Sequence, residues 1–270
     1  MKMNKSLHIT LAVLISSFFA CEKVIEYPVN DANSTLVVEA VAKNLPGASY
    51  VLLTQTIGLY DDPNTIKYVS GASVEVVDPF GTVYVFSEDE SVEGKYAHED
   101  FQILPNQTYD LKVDYDGGVF TSQSTAMNKP QVDSIFTFQQ IGTDDLGNPD
   151  TTHFLFYTVT DDPDEKNFYR FVLWVNGEKD DELFIETDDL GNGQTYTSPF
   201  FGITFDAGDS VYAELWSMQK ENYAYFSALF TNLNQSPFSA APSDLPSNIE
   251  GEGIGCFGAF MVDTASVVFP

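Results

Sequence analysis

Residues Val69–Val113 read VSGASVEVVDPFGTVYVFSEDESVEGKYAHEDFQILPNQTYDLKV, and their punctuation decides the fold. Apolar side chains recur at every second position in Ala72–Val77 and Thr82–Phe86, the period of a strand with one buried face. Asp78-Pro79-Phe80-Gly81 between them is a turn ending in glycine. Gly94–Ala97 is a short strand. Thr108–Tyr115 and Val119–Ser124 flank Asp116-Gly117-Gly118, a strong hairpin signal. Outward on the N-terminal side, Leu36–Ala42 and Tyr50–Ile57 keep the period of 2. That makes seven short strands, a density that predicts a β-sandwich over 36–126.

On the C-terminal side, Met127–Gln131 reads as a linker, because Pro130 cannot donate to a ladder. Strands resume at Val132–Gln139, Phe154–Thr160, Asn167–Val175, Glu182–Glu186, Phe200–Phe205 and Val211–Met218. Two more close the chain, Ile254–Val262 and Ala265–Phe269. One helix is predicted near Lys220–Gln235, where Tyr223, Phe226, Phe230 and Leu233 form a stripe at helical spacing. Ser236–Gly253 (SPFSAAPSDLPSNIEGEG) is a long proline-rich loop, a kind that often carries function. The expected fold class is mainly β, with two β-sandwich-like domains. The second, 132–270, holds one packed amphipathic helix.

Lys2 and Lys5 precede the apolar run Leu7–Ala20, a secretory signal over 1–20 that is short for a membrane span. Ala20 stands directly before Cys21, with Phe18 and Phe19 ahead of it. This resembles the lipobox of bacterial lipoproteins, whose cysteine receives a diacylglycerol and becomes N-terminal. The other reading is a plain secreted protein with a cysteine there by chance. Residues 21–35 form a polar tether containing Pro28. A disulfide from Cys21 to Cys256 would require the signal junction to dock on the C-terminal domain. Cys256 lies in an apolar run and reads as a buried small hydrophobe.

The sequence has 12 basic and 40 acidic residues, a net charge of −28. Nucleic acid is excluded as a partner, since phosphates must be met by positive charge. Adsorption to anionic headgroups is disfavoured for the same reason. Membrane contact is expected through the lipid anchor, which two or more acyl chains make stable.

Chemistry-bearing patterns are sparse. The sequence contains no H-E-x-x-H, G-x-S-x-G, phosphate-binding glycine loop or Cys/His zinc spacing, so no enzymatic activity is expected. Asp161-Asp162-Pro163-Asp164-Glu165 is the densest carboxylate run. Asp161, Asp162, Asp164 and Glu165 are weak candidates for calcium, against the simpler reading of a solvated acidic loop. TDDLGN occurs twice, at Thr143–Asn148 and Thr187–Asn192, and reads as turn chemistry. His98 and His153 read as structural or solvated. Trp174 and Trp216 lie in mid-strand and read as core, although 22 Phe, 14 Tyr and 2 Trp keep glycan binding in view.

The GA-x-V-x-V strand, D-x-x-G turn, G-x-Y strand and Y-x-L-x-V strand of Val69–Val113 resemble prealbumin-like and carboxypeptidase-regulatory-like sandwiches. That implies an immunoglobulin- or prealbumin-like first domain, usually a binding or spacer module. CEKVIEYPV, LVVEA, VLLTQT, VSGASVEVVD, GKY, TYDL and VDSI follow in the order of the Bacteroidota lipoproteins catalogued as domain of unknown function 4249. The closing SPFSAAPSDLPSNIEGEGIGCFGAF is similar to that family's last motif. The resemblance covers 21–270 and brings no catalytic residue. It implies an outer-membrane accessory lipoprotein beside a TonB-dependent receptor, with no cofactor other than covalent lipid on Cys21. Phe238, Asn248 and Ile249 of the long loop are the expected partner contacts, against the plainer reading that they pack and cap the loop. The alternative is a free-standing surface adhesin for glycan or peptide. Glu22 is followed by Lys23, whereas displayed lipoproteins of the group often carry an acidic signal there; the membrane face is left open.

Overall fold

Strand periodicity governs most of what the computed structural model describes, which is residues 34–58, 61–62, 64–143, 148–236 and 243–270. The first eight strands are β1 (Leu36–Lys43), β2 (Tyr50–Gln55), β3 (Lys67–Tyr68), β4 (Ser73–Val77), β5 (Val83–Glu88), β6 (Lys95–Ala97), β7 (Thr108–Tyr115) and β8 (Gly118–Thr125). Then come β9 (Gln131–Thr143), β10 (Pro149–Thr160), β11 (Phe168–Val175), β12 (Glu178–Lys179), β13 (Phe184–Thr187), β14 (Thr195–Pro199) and β15 (Ser210–Ser217). The helix Lys220–Leu233 and β16 (Ile254–Val268) complete the described elements. The fold is mainly β, sandwich-like, with two sheets. A 13-stranded sheet has the order β12-β11-β15-β16-β1-β2-β6-β5-β4-β7-β8, with β13 on β11 and β3 on β2; a 3-stranded sheet is β14-β10-β9.

In the N-terminal half the period of 2 works as read. Val74 and Val76 of β4, Tyr109, Leu111 and Val113 of β7, and Val38, Ala40 and Ala42 of β1 share one core. The long sheet curls around that core through β5 and β6. Its β7–β8 hairpin turns on Asp116 (φ 49°) and Gly117 (φ 76°), the two left-handed residues of a type I′ turn, with Tyr115 opposite Gly118.

The final strand ties the halves together. Instead of two strands, Ile254–Val262 and Ala265–Phe269, the structure has one strand of 15 residues. Its first half runs parallel to β1, Val37 opposite Ile254, and its second half antiparallel to β15. Phe257, Ala259 and Met261 enter the N-terminal core, while Val267 and Phe269 enter a second core in the C-terminal half. Phe260 and Val262, on the opposite face, belong to a third core. Asp263, in the gap between the two expected strands, accepts from Lys129 Nζ at 2.8 Å and from the Val132 amide at 2.9 Å. Gly255 (φ 135°) makes the parallel pairing possible: a Cβ there would sit 2.0 Å from the Val38 carbonyl oxygen.

The C-terminal half is layered. Leu155, Tyr157 and Val159 of β10 meet Tyr169, Phe171 and Leu173 of β11 across the second core. The helix packs on the other face of the long sheet through Phe226, against Trp216 and Phe260. Two readings need correction here. Phe200–Phe205 is not a strand; β14 is Thr195–Pro199, and Phe200 and Phe205 plug the second core from irregular chain. The apolar stripe of the helix is only partly buried. Asn222 and Phe226 face inward, whereas Phe230 and Leu233 are exposed. The segment around Pro130 is fastened in place: Asn128 accepts from Ser217 Oγ at 2.7 Å and donates to Asp162 at 3.0 Å. Among the described residues no helix is long and apolar enough to cross a membrane.

Candidate functional site

Cys21 and Phe238 lie outside the described residues. Asn248 and Ile249 are spent inside the fold. The Asn248 side chain donates to the Phe257 carbonyl and accepts from the Phe257 amide, both at 2.8 Å, and so imitates a neighbouring strand. Ile249 is buried in the N-terminal core, and Glu250 bridges to Thr121 of β8. These residues pack and cap the loop along the edge of the sandwich, with Ile249 buried and Asn248 half-buried.

The run 161–165 is not a simple solvated loop. Asp161 is buried and accepts from Tyr169 Oη at 2.7 Å and the Gly193 amide at 2.8 Å. Asp162 accepts from Asn128 and from the Asp164 amide, both at 3.0 Å, while Asp164 itself is exposed and Glu165 half-buried. Among the described residues no three His, Cys, Asp or Glu side chains converge to hold a metal ion. The second TDDLGN copy forms a 3-10 turn in which buried Asp188 accepts from the Asn167 amide at 2.8 Å.

The richest constellation lies on the helix side of the long sheet. Strand alternation puts Arg170, Val172 and Trp174 of β11 on that face, beside Tyr212, Glu214 and Trp216 of β15 and Glu39, Val41 and Lys43 of β1. Lys43 Nζ meets Glu214 Oε2 at 2.7 Å, each side chain 6% exposed. Glu214 also accepts from Trp216 Nε1 at 2.7 Å and Tyr212 Oη at 3.3 Å. Lys43 Nζ stands 4.2 Å from the centre of the Trp216 ring and 6.0 Å from that of Trp174. Burial pushes the Lys43 ammonium below its usual range, and Glu214 opposes that shift. Arg170, the only arginine of the sequence, has its Cζ 4.3 Å from the Phe226 ring centre and 5.0 Å from that of Trp216. Its Nε is buried with no hydrogen-bond partner among the described residues.

Two cavities open on this face. One, of about 270 Å³, has Leu52, Val172, Trp174 and Trp216 as its apolar walls, with Lys43, Lys95 and Lys179 around it. The other, of about 150 Å³, lies between Glu39, Arg170, Tyr225 and Cys256, and Lys179 borders both. A larger cleft of about 540 Å³ separates Tyr223 and Phe230 of the helix from Phe184, Glu186 and Phe201. Glu186 there accepts from Tyr157 and, at 2.9 Å, from Tyr196, so both carboxylate oxygens are committed.

The outermost layer carries a different surface. Alternation that sends Leu155 and Tyr157 inward turns Phe154 and Phe156 outward, opposite Phe138 and Phe136 of β9. Phe136 and Phe156 stack with ring centres 5.5 Å apart, and Phe138 meets Phe156 edge-on at 6.3 Å. Phe136 and Phe138 remain 41% and 54% exposed. Beside them, hydroxyl pairs Thr158–Thr197 and Thr160–Thr195 run across β10 and β14 at 2.8 and 2.7 Å.

Sequence reading missed both surfaces. Lys43 and Glu214 are 171 positions apart, and only the β1-β16-β15 order joins them. The phenylalanine face had a signal: F-x-F at 136–138 and again at 154–156 in neighbouring strands.

A family model described as "Domain of unknown function (DUF4249)" matches residues 22–266, and the chain belongs to that family. No curated protein matches. Among solved structures the chain is similar to one in "Cytokine receptor complex - Crystal form 1A", at 11% identity and a TM-score of 0.27, covering 69% of this chain and 86% of that one. A superposition that loose fixes neither fold nor function.

Proposed function

We propose that this member of the DUF4249 family is an outer-membrane lipoprotein, anchored through lipid on Cys21, that serves as a non-catalytic accessory or ligand-capture subunit beside a TonB-dependent receptor. The observation that carries the reading is the phenylalanine face of the 3-stranded sheet. Four aromatic side chains lie on one side of the long β9–β10 hairpin, which extends beyond β14. A contiguous exposed apolar surface of this kind marks a partner contact. A protein with 40 acids against 12 bases gains little from anionic headgroups, which leaves the lipid and a protein partner as its membrane contacts.

The test is a mild-detergent pull-down from native outer membranes with mass spectrometry, comparing the parent with Phe136→Thr/Phe138→Thr. A TonB-dependent receptor recovered in stoichiometric amount with the parent and lost from the variant is the expected result. A folded parent recovered alone, in full yield, overturns the reading. The anchor is tested separately: Cys21→Ala is expected to move the protein to the soluble fraction, and full retention on the membrane would contradict anchoring. The second reading, a free-standing glycan- or peptide-binding adhesin, draws on the half-buried Trp174 beside the smaller cavities.

A further inference from the structure

We infer that the cavity over Trp174 and Trp216 is a binding site for a small carboxylate carried on a ring. The site lies on the helix side of the long sheet, with the second core and the 3-stranded sheet between it and the phenylalanine face, and does not depend on the receptor reading.

Three observations meet at this cavity and at the smaller one that adjoins it through Lys179. The first is charge. Acids outnumber bases 40 to 12, so most cations can find a carboxylate, and six lysines form ion pairs among the described residues. Arg170, Lys179 and Lys220 form none among those residues, and the first two line the smaller of the two adjoining cavities. Lys179 also borders the neighbouring one, where Lys95 stands nearby with a loose contact to Asp89 at 3.7 Å. The second is the state of Arg170. Its Nε is a buried donor without an acceptor, and an orphaned charged donor is costly to bury. Glu39, on the same wall, accepts from Tyr50 through Oε1 and acts on Arg170 by its charge without forming an ion pair with it. The third is shape. Trp174, Val172 and Leu52 offer a flat apolar surface, and about 270 Å³ is room for one ring with its substituents.

Together these fix a pose class. The ring lies on Trp174, and its carboxylate points to Lys179, at the junction of the two cavities and toward Arg170. Lys43 is not the recognition group, because Glu214 already takes its charge. Ring carboxylates come as sugar acids and as aromatic acids, and the same contacts serve both.

The protein has only two tryptophans, Trp174 and Trp216, and both line this cavity, so intrinsic fluorescence reads the site directly. The folded protein is titrated with galacturonate, with 4-hydroxybenzoate and with galactose as the neutral control. A saturable fluorescence change with either acid is expected, with the neutral sugar at least about tenfold weaker. Response to galacturonate alone assigns a sugar acid, and response to 4-hydroxybenzoate alone an aromatic acid. Lys179 is exposed, so Lys179→Gln leaves the fold intact by circular dichroism and is expected to weaken the acid about tenfold. Equal binding of the neutral sugar, an unchanged Lys179→Gln, or no saturable change with both acids overturns the proposal.

Discussion

Two outer surfaces of the C-terminal half are both aromatic, yet they are built for different ends. On the 3-stranded sheet, four phenylalanines lie flat and partly in solvent, paired only with one another. On the helix side, indoles hold cations against their faces and anchor a buried carboxylate. The first surface can be altered without touching a core. The second shares its residues with the third core, so its stability and its binding properties are coupled. An aromatic-rich composition is therefore ambiguous until the layer is known. Alternation along β10 places Phe154 and Phe156 outside, and alternation along β11 places Trp174 at the rim of a cavity.

Substitutions sharpen the contrast. The largest effect is expected from Glu214→Ala, which leaves the Lys43 ammonium buried without its partner. Urea denaturation should show a loss of about 3–5 kcal/mol. A loss below about 1 kcal/mol would mean that the helix-side face is as tolerant as the other. Next is a pH effect on the same face. Burial raises the Cys256 thiol to about 11, against the hydrogen bond from Asn222. The folded chain then holds this proton more tightly than the unfolded chain, whose thiol has the ordinary value of 9.0. Stability is fully present below pH 9 and falls as pH rises toward 11, by about 2–3 kcal/mol for this group. Cys256→Ala should flatten that segment. A slope above pH 10 should remain in the variant from Tyr225 and Tyr212, which burial raises to about 12. The smallest effect is expected from Phe136→Thr/Phe138→Thr, a change within about 1 kcal/mol, because both rings are largely exposed. A loss of several kcal/mol there would erase the distinction between the surfaces.

Much of the fold was legible because strand period and turn chemistry are local. The Asp116-Gly117 hairpin, the alternation of β4 and β7, and Phe226 as an inward residue of the helix follow from neighbours within a few positions. Errors arose where a local pattern was overruled from a distance. Asp263 lies in the gap between the two expected strands, but Lys129 and the Val132 amide satisfy its carboxylate and the ladder runs on. Phe200–Phe205 was read as a strand, yet its two phenylalanines enter the core from outside any strand, Phe205 through a single bridge to His153. The cation–indole cavity was the least readable feature, since its walls come from β1, β2, β3, β6, β11, β12 and β15 and meet only through the sheet order. The two tryptophans were read as core; that holds for Trp216, while Trp174 stays half-exposed.

The long strand β16 has a kinetic consequence. Its parallel partner β1 lies more than two hundred residues earlier in the chain. Val38 and Ala40 cannot be covered until Phe257 and Ala259 arrive, and Leu215 cannot gain its second neighbour strand before then. Contacts so distant in sequence are slow to form and leave apolar strands bare in the interval. Neither half can therefore complete its sheet until Ile254–Val268 has been synthesised and has paired with β1 and β15.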